Sequence, residues 1–191
     1  MKNICVFCGS SFGNSPAYKN SAIELGELLA QKKYRLVYGG GNVGLMGVIA
    51  DTVIKCGGEV IGVIPEFLQQ REVGHTGLTE LIVVDSMHQR KMKMAELADA
   101  FIAMPGGFGT LEELAEITTW VQLNLMNKPI GVLNVNGYYN HLQEFIGKMN
   151  KEKFISVENS NLIQFDNQPK ELLAQLESSN GQNNSLLRSK I

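Results

Sequence analysis

The sequence predicts a doubly wound, Rossmann-like α/β domain: a parallel sheet with helices on both faces. Short apolar runs alternate with helical patterns from one end of the chain to the other. Those runs are apolar throughout rather than at every second residue, as strands covered on both faces are. Three of them end in glycine-rich turns, and in such sheets the carboxyl ends of the strands form the ligand-binding rim.

Ile4–Phe7 is the first strand and runs into Cys8-Gly9-Ser10-Ser11. Ser15-Pro16 then supplies a cap and a first-turn proline for a helix reaching Gln31. Arg35–Tyr38 reads as a strand ending in the turn Gly39–Gly44, with a helix over Leu45–Lys55 behind it. Val60–Ile64 and Leu81–Val84 are the next strands, joined by a polar loop that holds Glu72. Met87–Leu97 has helical spacing, Phe101–Met104 is a strand, and Pro105–Thr110 is the third glycine turn. It opens a helix over Thr110–Met126. Ile130–Asn134 (strand), Tyr138–Asn150 (helix), Leu162–Phe165 (a weaker strand) and Pro169–Leu176 (helix) follow. Residues 1–177 thus form one domain, and the Ser- and Asn-rich stretch 178–191 reads as a disordered tail.

Composition excludes several classes. A chain of 191 residues, 44% hydrophobic and 19% charged, is long enough for one sizeable core and is neither disordered nor membrane-spanning. A net charge of −2 provides no basic face for nucleic acid. Met1-Lys2-Asn3 leads straight into the first strand without a signal-peptide layout, and no apolar run approaches bilayer length, so a cytoplasmic protein is expected. Cys5 and Cys8 spell C-x-x-C. Within a strand, residues three apart face opposite sides, which argues against a redox pair. His75, His88 and His141 show no ligand spacing, so neither metal nor cofactor is expected.

The stretch Pro105 to Glu113, PGGFGTLEE, carries the chemistry. Glycines at a strand-to-helix turn let the backbone approach an anion, and the N–H groups of the helix start point at it. Glu113, one turn inside, is repelled by a phosphate, so it suggests work on the rest of the ligand. The alternative is a capping box of Thr110 with Glu113. Gly39–Gly44 matches G-x-G-x-x-G, with Glu66 as a possible ribose-binding acid, but that reading leaves the Pro105 turn without a role. Arg90 falls on the apolar stripe of Met87, Met94, Leu97 and Ala98, where a guanidinium is costly unless it meets an anion. A structural ion pair with Asp99 or Glu113 is the competing account. Lys91 lies at the stripe's edge, where snorkelling explains it, and Glu72 alone reads as a solvated loop residue.

With Met87-His88-Gln89-Arg90-Lys91, Tyr38-Gly39-Gly40-Gly41, Gly44-Leu45-Met46-Gly47 and Asn134-Val135-Asn136-Gly137-Tyr138-Tyr139, that stretch closely resembles the LOG ("Lonely guy") family over residues 2 to 176. Its members are cytokinin-activating phosphoribohydrolases, formerly labelled lysine decarboxylases. The resemblance implies hydrolysis of an N6-modified adenosine 5′-monophosphate to free base and ribose 5-phosphate, and a homodimer. It implies Arg90 and Glu113 as the catalytic pair, and Glu72, Lys91 and Thr119 as substrate contacts. Gly106, Gly107, Phe108, Gly109, Thr110, Leu111 and Glu112 complete the substrate-binding stretch, with Gly9, Ser10, Gly40 and Gly41 as further phosphate or ribose contacts. Thr119 falls opposite the apolar stripe of its helix and would meet substrate only if a second subunit completed the site. Two rivals remain: a nucleotide or molybdenum-cofactor carrier, and a pyridoxal decarboxylase, for which no lysine has a recognisable arrangement.

Overall fold

A computed structural model of the chain describes residues 1–72 and 74–188, with the side chains at 70–72 and 180–188 outside that description. Seven strands form one parallel sheet: β1 (Asn3–Phe7), β2 (Arg35–Tyr38), β3 (Val60–Pro65), β4 (Glu80–Val84), β5 (Ala100–Ala103), β6 (Ile130–Leu133) and β7 (Ile163–Asp166). Their spatial order is β4-β3-β2-β1-β5-β6-β7. The chain winds outward from β1 to β4, then returns through one helix to β5 on the other side of β1. That reversal opens a crevice between the carboxyl ends of β1 and β5, where open parallel sheets bind ligands.

Alternation along β1 sorts the two layers. Ile4, Val6 and Cys8 join one apolar cluster with α1 (Pro16–Gln31), α2 (Gly44–Lys55) and α8 (Pro169–Arg188). Cys5 and Phe7 join the other, with α4 (Met87–Leu97) and α5 (Phe108–Gln122). The two thiols of the C-x-x-C therefore lie on opposite faces of the sheet. Each fully buried Leu or Ile contributes about 2 kcal/mol, so this double core, more than local propensity, holds the rim in place. Ser15 and Ser86 cap α1 and α4, accepting the Ala17 and Gln89 N–H groups at 3.3 and 3.2 Å.

The structure departs from the sequence reading at several ends. The segment read as a polar loop around Glu72 is helical, α3 (Glu66–Glu72), and Glu66 sits in its first turn, where a carboxylate favours the helix dipole. A further short helix, α7 (Val157–Ser160), is capped by Ser156 Oγ accepting the Asn159 N–H at 3.1 Å. Both are too short to show helical periodicity. α5 begins two residues earlier than Thr110, with Gly107 as its N-cap, so the Thr110–Glu113 capping box does not form. It also ends early, before Asn124 turns left-handed at a φ of 56°. α8 continues through Ser178 and Ser179, whose hydroxyls donate back to the Ala174 and Gln175 carbonyls at 2.9 and 3.1 Å. Gln164 Nε2 also donates to Ser179 Oγ at 2.7 Å, tying the helix to β7. Residues 189–191 of the stretch read as a tail lie outside the described residues.

Candidate active site

The turns after β1 and β5 are tied across the crevice. Gly9 N–H donates to the Pro105 carbonyl at 3.1 Å, and Leu45 N–H, at the start of α2, donates to the Gly9 carbonyl at 3.0 Å. Gly44 allows this approach: its φ is 57°, and a Cβ there would overlap the backbone of Ser10 and Ser11. The start of α2 is thus closed onto protein, which argues against the dinucleotide reading of Gly39–Gly44. Gly40 and Gly41 pair with the chain beyond α3. The Gly40 carbonyl accepts the His75 N–H at 3.2 Å, and Gly41 bridges to Gly74.

A cavity of about 270 Å³ fills the crevice. Cys8, Gly9 and Ser10 at the end of β1 line one side, and Gly107–Thr110 of the α5 start line another. Because the N-cap is Gly107, no side chain caps α5, and its first N–H groups have no intrahelical acceptor. An uncapped helix start beside a cavity is an anion cradle. Phe108, 92% exposed, stands at the mouth. Thr110 is buried beneath, and its Oγ1 occupies the space a Cβ on Gly106 would need.

Arg90 enters from α4. It is 8% exposed, its Nη2 donates to the Gly39 carbonyl at 3.2 Å, and its Nη1 lies 3.8 Å from Met87 Sδ. Among the described residues its Nε has no partner, and no carboxylate there forms an ion pair with it. The competing structural pair is therefore absent. Asp99 instead accepts the backbone N–H groups of Lys2 and Asn3 at 2.6 and 3.0 Å. Glycine at 39 lets the guanidinium pack this close, since a Cβ there would displace it. Glu113, partly buried, lines the same cavity. Burial pushes its carboxyl up to about 7, with the Arg90 charge pulling it down and Glu112 adding to the rise. The two charges sense one another without closing a bridge, which leaves both available to a ligand.

Several other residues expected at the site have different surroundings. Lys91 does not snorkel to solvent: its ammonium bonds Glu112 at 2.5 Å and Glu116 at 3.1 Å, which raises its pKa and links α4 to α5. Glu112 reaches the cavity wall from this pair. Gly106 lines a neighbouring cleft. Leu111 and Thr119 face a separate groove beside α6 (Asn140–Lys151), where the Thr119 hydroxyl donates to the Ala115 carbonyl at 2.8 Å. The Glu72 side chain lies outside the described residues. Sequence reasoning missed Tyr138 and Tyr139, whose hydroxyls donate to the Gly106 and Met104 carbonyls at 2.6 and 2.8 Å. The available signal was Asn136-Gly137, a turn pair directly before two adjacent tyrosines.

Comparison with known proteins fits this geometry. A family model described as "Possible lysine decarboxylase" matches residues 46–176. The cytokinin riboside 5'-monophosphate phosphoribohydrolase LOG1 of Arabidopsis thaliana is 53% identical over 176 residues, 92% of this chain and 83% of that protein. The probable phosphoribohydrolase LOGL6 of Oryza sativa subsp. japonica is 51% identical over 92% of this chain and 70% of its own. Among solved structures, a molybdenum cofactor carrier protein of Chlamydomonas reinhardtii superposes with a TM-score of 0.71 at 19% identity, covering 95% of this chain and 98% of that one. At that identity the likeness speaks for the fold alone.

Proposed function

The chain belongs to the family described as possible lysine decarboxylases, whose curated relatives are cytokinin riboside 5'-monophosphate phosphoribohydrolases, and on that premise we propose that it is a hydrolase of the same kind. It hydrolyses the N-glycosidic bond of N6-modified adenosine 5′-monophosphates. The observation that carries this reading is Arg90, a buried guanidinium without a carboxylate partner among the described residues, set beside Glu113 and an uncapped helix start.

The 5′-phosphate docks on the N–H groups at the start of α5, with Arg90 supplying the opposing cation. The ribose then lies over Glu113. Breaking the C1′–N9 bond leaves the electron pair on the base and positive charge on the sugar. Water adds its oxygen to C1′, and its proton balances the departing base. Glu113 either stabilises the sugar cation or orients that water, and both roles need its ionised form. With the carboxyl at about 7, kcat/KM falls as the pH drops below neutrality. Glu112 and Lys91 hold the α4–α5 wall. The test is chromatography of the products: isopentenyladenosine monophosphate should yield free base and ribose 5-phosphate in equal amounts. Tight nucleotide binding with no product would favour a carrier instead. A pyridoxal decarboxylase lacks support, since among the described residues no lysine lines the cavity.

The working unit is a homodimer in the cytoplasm, acting on free nucleotide rather than nucleic acid. No helix among the described residues is long and apolar enough to cross a membrane. Support for the dimer comes from α6, which buries none of its residues fully although Leu142, Ile146 and Met149 line a groove against α5. Thr119 sits on that groove, facing away from its own cavity, where only a second copy would bring it to substrate. Analytical ultracentrifugation should find two copies; a monomer at assay concentration would remove any role for Thr119.

A further inference from the structure

Four consecutive backbone carbonyls lead into the anion cradle, and each is held by a donor. Met104 accepts from Tyr139 Oη at 2.8 Å, Pro105 from Gly9 N–H at 3.1 Å, Gly106 from Tyr138 Oη at 2.6 Å, and Gly107 from Leu111 N–H at 3.1 Å. A phosphate is repelled by carbonyl oxygens, so a cradle works only while these point elsewhere. In a planar trans peptide the C=O and the following N–H point in opposite directions. Holding a carbonyl out therefore aims the next N–H the other way.

The Gly106–Gly107 peptide is the soft member of the series. Glycine on both sides removes the Cβ atoms that resist rotation of a peptide, and the space beside Gly107 is open: a Cβ there would meet nothing within 4 Å. Gly107 has a φ of −93°, and a flip of this peptide carries that angle to the positive side. Among the described residues the Tyr138 hydroxyl alone donates to its carbonyl and opposes the flip. The tyrosine is itself fixed: its ring packs edge-on against Tyr18 and Tyr139, with centroids 5.9 and 4.9 Å away. The chain reaches it through two left-handed residues, Asn136 and Gly137, at φ values of 53° and 69°. Asn134, buried at the end of β6, anchors the turn by accepting the Tyr139 N–H at 2.7 Å and donating to Asn140 Oδ1 at 2.8 Å.

We infer that Tyr138 is a positioning residue for phosphate recognition: its hydroxyl holds the Gly106 carbonyl out and keeps the Gly107 N–H turned toward the cavity. The inference rests on the reading of that cavity as a sugar-phosphate site. Tyr138 is half-exposed, so Tyr138→Phe removes one hydroxyl without opening the core. Titration with ribose 5-phosphate should show affinity falling roughly tenfold in this variant, the scale of one lost hydrogen bond. Binding of free isopentenyladenine and the unfolding temperature should be unchanged. Unaltered ribose 5-phosphate affinity, or equal loss for both ligands, overturns the inference. Wild-type protein that binds no ribose 5-phosphate defeats the sugar-phosphate reading itself, and this inference with it. A second variant isolates the flip: Gly107→Ala disfavours the positive φ that the flipped peptide needs. In that background the further change Tyr138→Phe should weaken ribose 5-phosphate binding less than twofold. A full tenfold loss there would show that the hydroxyl acts by some other route.

Discussion

Glu113→Gln is expected to lower kcat/KM by about 10³-fold while making the protein more stable at alkaline pH. The substitution keeps the shape of the side chain and removes its charge, which in this reading answers the positive charge on the sugar. Stability moves the other way for the same reason. Burial raises the folded carboxyl from about 4.5 to about 7, so the folded protein binds more protons than the unfolded chain between those values. The resulting contribution is complete below about 4.5 and is lost as the pH rises through about 7. At pH 8 the ionised carboxylate opposes folding by about 1–3 kcal/mol, a cost glutamine does not carry. Urea denaturation should show wild type and variant alike at pH 4.5 and the variant ahead at pH 8. A gap independent of pH would contradict the raised carboxyl, and a near-normal rate would remove Glu113 from the chemistry.

Arg90→Ala is expected to cost about 10³-fold or more in kcat/KM with the fold intact, because in the proposed reading one guanidinium serves both the phosphate and the ionised state of Glu113. Breaking a buried structural ion pair destabilises by about 3–5 kcal/mol. No such pair exists among the described residues; the bonds lost are those to the Gly39 carbonyl and Met87 Sδ, so about 1.5–3 kcal/mol is expected. Without the Arg90 charge, the Glu113 carboxyl rises above about 7, and the acid limb of any residual activity shifts to higher pH. Arg90→Lys should not restore the rate, since a point charge cannot reach the Gly39 carbonyl and the ligand with the same planar fork. A large loss of stability in Arg90→Ala, with the rate retained, would reverse this assignment.

Much of this was legible in the chain itself. Continuous apolar runs marked the strands because a parallel sheet covered on both faces has no polar side. The ends of α1 and α4 were readable from the chemistry of Ser15-Pro16 and from the stripe that carries Arg90. That stripe also marked the candidate site, since a cation among methionines needs a reason. α3 and α7 were missed because a single turn or two shows no period. The start of α5 was misplaced because Thr110 resembles a cap, whereas Gly107 ends the turn with backbone alone. Lys91 was misjudged because its partners, Glu112 and Glu116, belong to a different helix. Tyr138 could not be assigned for a similar reason: its partner, the Gly106 carbonyl, lies 32 residues away, and only the sheet order brings them together.

In the proposed reading a sugar phosphate, held by the α5 start and Arg90, is presented to Glu113. Base release from isopentenyladenosine and from its 5′-monophosphate, substrates that differ only in the phosphate, tests it most directly. Turnover of the monophosphate is expected, with kcat/KM for the bare nucleoside lower by about 10³-fold or more. Equal turnover of the two, or release of base from neither, would contradict it.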